Sequence, residues 1–364
     1  MPTEALPARG APTRHPAASR RILRLALGTA LSMWFSQAIA WPLSFISPVL
    51  TLLILALPLP APKLKQGITF ILALVAPLFL GMALLPFLQY SRWAGILLLA
   101  LGLFYSFYFT AKGGSAALGA FMTVGLTLIV TIGSVSPSSV YPLLQGLATA
   151  AFFGLVFVWI AHAFLPDLPP EASLAASPAK APSPPPPPVL ADARRAAFRA
   201  LIVVLPMALI FLFMSASTSY TVVMIKVASM GQQASADDSR KMGRSLLEST
   251  IWGGVGAILG WYLMSIWPSL LLYTLLIALA ALIYGRGMFS GPALHPKFSM
   301  WMYAFLTMIV ILAPALISGP GSGGAGAAFW TRLFLFALIA IYGTAAVAVF
   351  DAFWPRREHR EAPE

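Results

Sequence analysis

The stretch "GITFILALVAPLFLGMALLPFLQ", Gly67–Gln89, runs 23 residues without a charged side chain. As a helix it is long enough to cross a hydrocarbon core of about 30 Å. Similar runs recur along the chain. No water pairs with peptide N–H and C=O groups inside a bilayer, so only helices and closed barrels can cross it. The apolar residues are continuous rather than alternating, which selects helices. Composition agrees. The chain is 59% hydrophobic and only 9% charged, whereas a soluble domain carries roughly 25% charged residues. It cannot clothe itself in polar surface, so its main solvent is lipid.

The runs predict an all-α polytopic protein of about twelve membrane helices. In the first half they are Ile22–Trp41, Phe45–Leu57, Gly67–Gln89, Trp93–Thr110, Ala116–Gly133 and Leu143–Leu165. In the second half they are Ala200–Phe213, Ser217–Met230, Leu246–Ile266, Ser269–Tyr284, Phe298–Ser318 and Phe329–Phe353. The second, seventh and eighth are short for a full crossing. Between the halves, Pro184–Pro188 lock the backbone into an extended polyproline form, which reads as a spacer. The expected organisation is a disordered tail (1–18), a six-helix block (19–168), a Pro-rich linker (169–192), a second six-helix block (193–355) and a basic tail (356–364).

The N-terminal arginines ahead of an apolar run also look like a signal peptide, with Ala38-Ile39-Ala40 as a cleavage site. The polar leader is long, however, and the apolar segment exceeds a typical signal core. The first helix is expected to be retained.

The blocks read as repeats. Arg20-Arg21 opens the first and Arg194-Arg195 the second. Ser47–Thr51 answers Ser217–Thr221, Gly81 answers Gly260, and Trp93 answers Trp267. The blocks close on "HAFLP" (His162–Pro166) and "DAFWP" (Asp351–Pro355). An even number of spans per block gives both the same orientation, related by a two-fold along the membrane normal.

Charge sets the sidedness. With both termini inside, 20 of the 23 Lys and Arg residues fall in inside segments; Arg92 and Arg332 fall outside, and Lys226 lies within a span. Lys and Arg collect in cytoplasmic loops. The net charge of +12 is therefore topology and calls for no nucleic-acid partner.

An ionisable group inside a span is costly and marks a candidate site. Lys226 lies in "TSYTVVMIKVASMGQQ" (Thr218–Gln233). Helical periodicity places Ser215, Ser219, Lys226, Ser229 and Gln233 in one stripe, interrupted by Val222. A helix lining an aqueous pathway needs such a stripe; a lysine snorkelling to the interface does not. Both readings stay open. Glu248 sits at a similar depth, as a partner for Lys226 or as a favourable charge at a helix N-terminus. His162 and Asp351 occupy corresponding positions at the block ends. They are candidates for proton coupling, although interfacial hydration alone would also accommodate them. His162 and Asp167 have the spacing of an acyltransferase His-x4-Asp motif, which Pro166 and the membrane-exit position argue against. Gly253, Gly256 and Gly260 form a small-residue face for close helix packing.

The chain has no cysteine, which excludes thiol chemistry and disulfides. It carries no ATP-binding motif, including in the glycine-rich Ser318–Ala328 segment. No convergent catalytic set appears, so an enzyme is not expected, and no cofactor is implied.

Leu23–Pro58, the doubled six-helix blocks and "YTVVMIKVASMGQQ" together resemble the fusaric-acid-resistance (FUSC-like) and aromatic-acid-exporter superfamily. The nearest branch is the small bacterial inner-membrane members of unassigned function. The resemblance implies a multi-pass inner-membrane efflux permease for aromatic or other organic acids. It also implies a periplasmic membrane-fusion (adaptor) partner leading to an outer-membrane channel. With no ATP motif, the proton-motive force is the expected drive. Lys226 would attract the substrate carboxylate, with Glu248 as counter-ion or proton-coupled group. A passive organic-anion channel and a non-transporting envelope scaffold remain alternatives.

Overall fold

The computed structural model describes residues 16–41, 43–167, 190–213, 227, 239–289, 294–317 and 325–354. The helices in chain order begin with α1 (Pro16–Ile39), α2 (Ile46–Ala56), α3 (Leu64–Tyr90) and α4 (Arg92–Ala111). Next, α5 (Ala116–Val124) continues through a π turn (Gly125–Ile129) into α6 (Val130–Val135), and α7 (Val140–Phe164) closes the first half. The second half has α8 (Leu190–Phe213), α9 (Ser239–Ile266), α10 (Leu270–Met288), α11 (Phe298–Ile317) and α12 (Ala325–Phe353). Apart from one isolated bridge, Phe289 to Leu294, the described residues contain no β-structure.

Eight of these helices are long and apolar enough to cross a membrane. Ile46–Ala56 and Leu118–Ser134 are apolar but shorter. Helix α8 has the length, but Asp192, Arg194, Arg195 and Arg199 occupy its first turns. The Ser217–Met230 segment lies outside the described residues, save Val227.

The outer surface fits a lipid solvent. Trp93, Leu97, Leu101 and Tyr105 on α4 are exposed, as are Leu271, Leu275, Leu279 and Ile283 on α10. Helix contacts are therefore made by shape and by hydrogen bonds between helices, because lipid tails offer little hydrophobic drive for association. Ser32 on α1 hydrogen-bonds Ser47 on α2 at 2.9 Å. The Thr51 hydroxyl on α2 donates to the Gly154 carbonyl on α7 at 3.1 Å. Gly28 lets α1 seat directly against Leu55, Thr51 and Ala161. Ser106 on α4 donates to the Gly119 carbonyl on α5 at 2.9 Å.

The halves interlock reciprocally. Helix α1, first in its half, packs along α10 of the second half. Helix α8, first in the second half, packs along α4. Within each half two non-consecutive helices also pair: α3 runs against the α5–π–α6 helix, and α9 against α11. Both pairings use glycine. A Cβ on Gly81 would meet the Gly125 carbonyl at 2.4 Å, and one on Gly253 would meet the Ala304 carbonyl at 2.5 Å.

Candidate functional site

Of the residues singled out from sequence, Lys226, Ser215, Ser219, Ser229 and Gln233 lie outside the described residues. Glu248, His162 and Asp351 are described, and each has a distinct setting.

Glu248 stands near the start of α9 and is bound on both carboxylate oxygens. Arg244 Nε donates to Oε1 at 2.6 Å, and Lys297 Nζ donates to Oε2 at 2.9 Å. The first contact runs along one turn of helix; the second ties α9 to the segment preceding α11. Asp351 lies in the last turn of α12 and accepts from Arg195 and Arg199 on α8. Arg195 also donates to the Trp354 carbonyl, and its guanidinium lies 5.5 Å from the centre of the Phe350 ring. His162, in the last turn of α7, is 9% exposed. Its Nδ1 donates to the Val158 carbonyl at 2.9 Å, while Nε2 is buried with no partner among the described residues.

The end of α7 has a counterpart to the Arg195–Asp351 contact. Arg24 on α1, buried at 5% exposure, donates through Nε and Nη2 to the Leu165 carbonyl at 3.0 and 2.7 Å. Its Nη2 also reaches Asp167 at 2.8 Å. The cause is the helix end itself: the last carbonyls of a helix lack intrahelical donors, and an arginine there answers both the carbonyl and the dipole. Each half thus clasps its first helix to the end of its last. Asp167 is taken up by Arg24 and His162 by its own helix, so the His-x4-Asp spacing forms no dyad.

Two cavities flank α2. The apolar one has a volume of about 120 Å³ and lies where the halves meet. Phe45, Val49 and Leu50 bound it from α2 and its approach, Leu78 from α3, Phe121 from α5, and Tyr303 from α11. Among the described lining residues the side chains are hydrocarbon and aromatic, with Tyr303 the one that carries a polar group. Such a wall can hold a flat apolar body by dispersion and water exclusion. It offers no nucleophile.

The second cavity, about 310 Å³, lies past the C-terminal end of α2. Arg20, Arg21 and Arg24 face it from α1, Leu57–Pro60 form one side, and Asp167 closes it. Sequence reasoning placed these arginines among the inside charges without seeing a pocket. The doublet was the available signal; the lining comes from segments far apart in the chain. The same holds for the apolar cavity, which needs α2 and α11 side by side. Among the described residues no three His, Asp or Glu side chains gather as a metal site.

A family described as "Protein of unknown function (DUF2955)" matches residues 21–161, which run from α1 into α7. No curated protein and no solved structure matches the chain.

Proposed function

We propose that this protein is a multi-pass bacterial inner-membrane permease of twelve crossings that exports aromatic or other organic acids. The apolar cavity at the junction of the halves carries the reading. A dry cavity of about 150 Å³ lined by Leu, Ile and Phe accepts a benzene ring, and this one is of similar size and lining. It belongs to neither half alone, because Tyr303, Leu306 and Val310 come from α11 and the other walls from the first half.

The reciprocal packing of α1 on α10 and of α8 on α4 supports two six-helix repeats about a two-fold along the membrane normal. The matching arginine clasps at Leu165 and Trp354 support it too. In the repeat read from the sequence, Ser47–Thr51 answers Ser217–Thr221, and the Lys226 stripe is proposed to serve the same pathway. Lys226 then attracts the carboxylate while the cavity takes the ring. The proton-motive force drives export, with a periplasmic adaptor and outer-membrane channel receiving the product.

Proteoliposomes holding the purified protein and loaded with labelled benzoate test this. The expected result is protein-dependent efflux that accelerates when a pH gradient is imposed. Efflux that follows membrane potential but ignores the pH gradient would favour a passive channel. No protein-dependent flux of any organic acid would leave the scaffold reading.

A further inference from the structure

The arginine cavity beside α1 has more positive charge than its own structure uses. Three guanidinium groups face it and one carboxylate answers them. Arg24 is committed to Leu165 and Asp167. Arg20 and Arg21 are half-buried and make no ion pair or hydrogen bond with the described residues. The contrast with the end of α12 is direct. There Arg195 and Arg199 both converge on Asp351, while Arg194 is exposed to solvent rather than facing a cavity.

The wall opposite the arginines is apolar. Leu57 and Leu59 are 43% and 61% exposed, and Pro58 and Pro60 add rings without N–H donors. The Trp159 indole donates to the Pro62 carbonyl at 2.7 Å, which pins this segment to α7 and keeps the wall in place. A small hydrated anion would gain from the arginines and lose at the wall. A phosphate that carries its own hydrocarbon satisfies both sides. Arginine's fork suits phosphate oxygens, and basic pockets between membrane helices bind anionic lipid headgroups.

We propose that Arg20, Arg21 and the Leu57–Pro60 segment form a binding site for the headgroup phosphate of an anionic phospholipid. The arginines hold the phosphate, and the Leu57–Pro60 wall takes the start of the acyl chains. The site is separate from the apolar cavity and does not depend on what the protein transports.

Thermal unfolding of the full chain in neutral detergent tests it, with three probes: dihexanoyl phosphatidylglycerol, dihexanoyl phosphatidylcholine and inorganic phosphate. At a few times its Kd, phosphatidylglycerol should raise Tm by about 2 °C, and the other two should leave it unchanged. The Arg20→Gln/Arg21→Gln variant should lose the response, whereas Arg92→Gln should keep it. Leu59→Glu, which sets a carboxylate on the exposed wall and leaves the arginines intact, should lose it too. An equal rise with phosphatidylcholine would overturn the site, as would a response that survives in both Arg20→Gln/Arg21→Gln and Leu59→Glu. A rise with inorganic phosphate alone would overturn the lipid assignment in favour of a free-anion site.

Discussion

Arg24 and Arg20 are one helical turn apart and differ in what they hold. Arg24 is buried and satisfies a helix-end carbonyl and Asp167. Arg24→Met removes the donor to the half-buried Leu165 carbonyl and the exposed Asp167 and should cost about 1–2 kcal/mol, the scale of lost hydrogen bonds whose acceptors water can partly satisfy. In detergent free of anionic lipid, Arg20→Met should stay within about 0.5 kcal/mol, because no partner among the described residues is lost. Denaturation midpoints of the two variants separate the roles. His162 presents the reverse case. Its Nε2 is already unpaired, so His162→Leu should hold the melting temperature near the parent value. If the same variant loses acceleration by a pH gradient, His162 takes part in coupling.

At the scale of elements, apolar continuity made most of the helices legible. The apolar run Gly67–Gln89 falls inside the helix Leu64–Tyr90, and Trp93–Thr110 inside Arg92–Ala111. Ends shifted by a few residues because caps, rather than hydropathy, set them. Ser91, for example, separates α3 from α4 by a single residue. The π turn at Gly125–Ile129 was not legible. It arises where the helix crosses α3 at Pro77 and Gly81, a contact between segments far apart in sequence. Gly81→Ala puts a methyl 2.4 Å from the Gly125 carbonyl oxygen. That neighbour is backbone, so the crossing must widen, at a cost of about 2–3 kcal/mol. Gly102→Ala meets only the flexible end of Leu126, at 3.1 Å, and should cost less than about 1 kcal/mol. Thermal melts of the pair test this: Gly81→Ala should melt lower than Gly102→Ala.

For the whole molecule, the sequence marks where each half opens and closes, and the structure joins the first helix of each half to the end of its last. Arg24, one turn past the Arg20-Arg21 doublet, holds the Leu165 carbonyl, and Arg195 of the second doublet holds the Trp354 carbonyl. What the signals could not convey is the exchange of neighbours, α1 on α10 and α8 on α4. That exchange has a consequence for folding. Helix α1 packs on α2 and α7 of its own half as well as on α10, so either half alone leaves one side of its first helix without its partner. Two fragments split within the Pro-rich linker should accumulate in the membrane when co-expressed and be degraded when expressed singly; stable single fragments would count against the interlock. Sidedness can be read separately, because the chain lacks cysteine. Single cysteines at Lys63, Lys112 and Arg286 should react from the inside, and those at Arg92 and Ser138 from the outside.

The seam cavity is the centre of the functional reading, and filling it tests that reading most directly. Val49 lines the cavity and is 6% exposed, so Val49→Phe should place a ring where the substrate's ring is proposed to sit. The measurement is protein-dependent benzoate efflux from proteoliposomes, parent against Val49→Phe, with equal protein incorporated and matched melting temperatures. The expected result is loss of most of the flux while the fold is kept. Undiminished flux through a folded Val49→Phe protein would contradict the account.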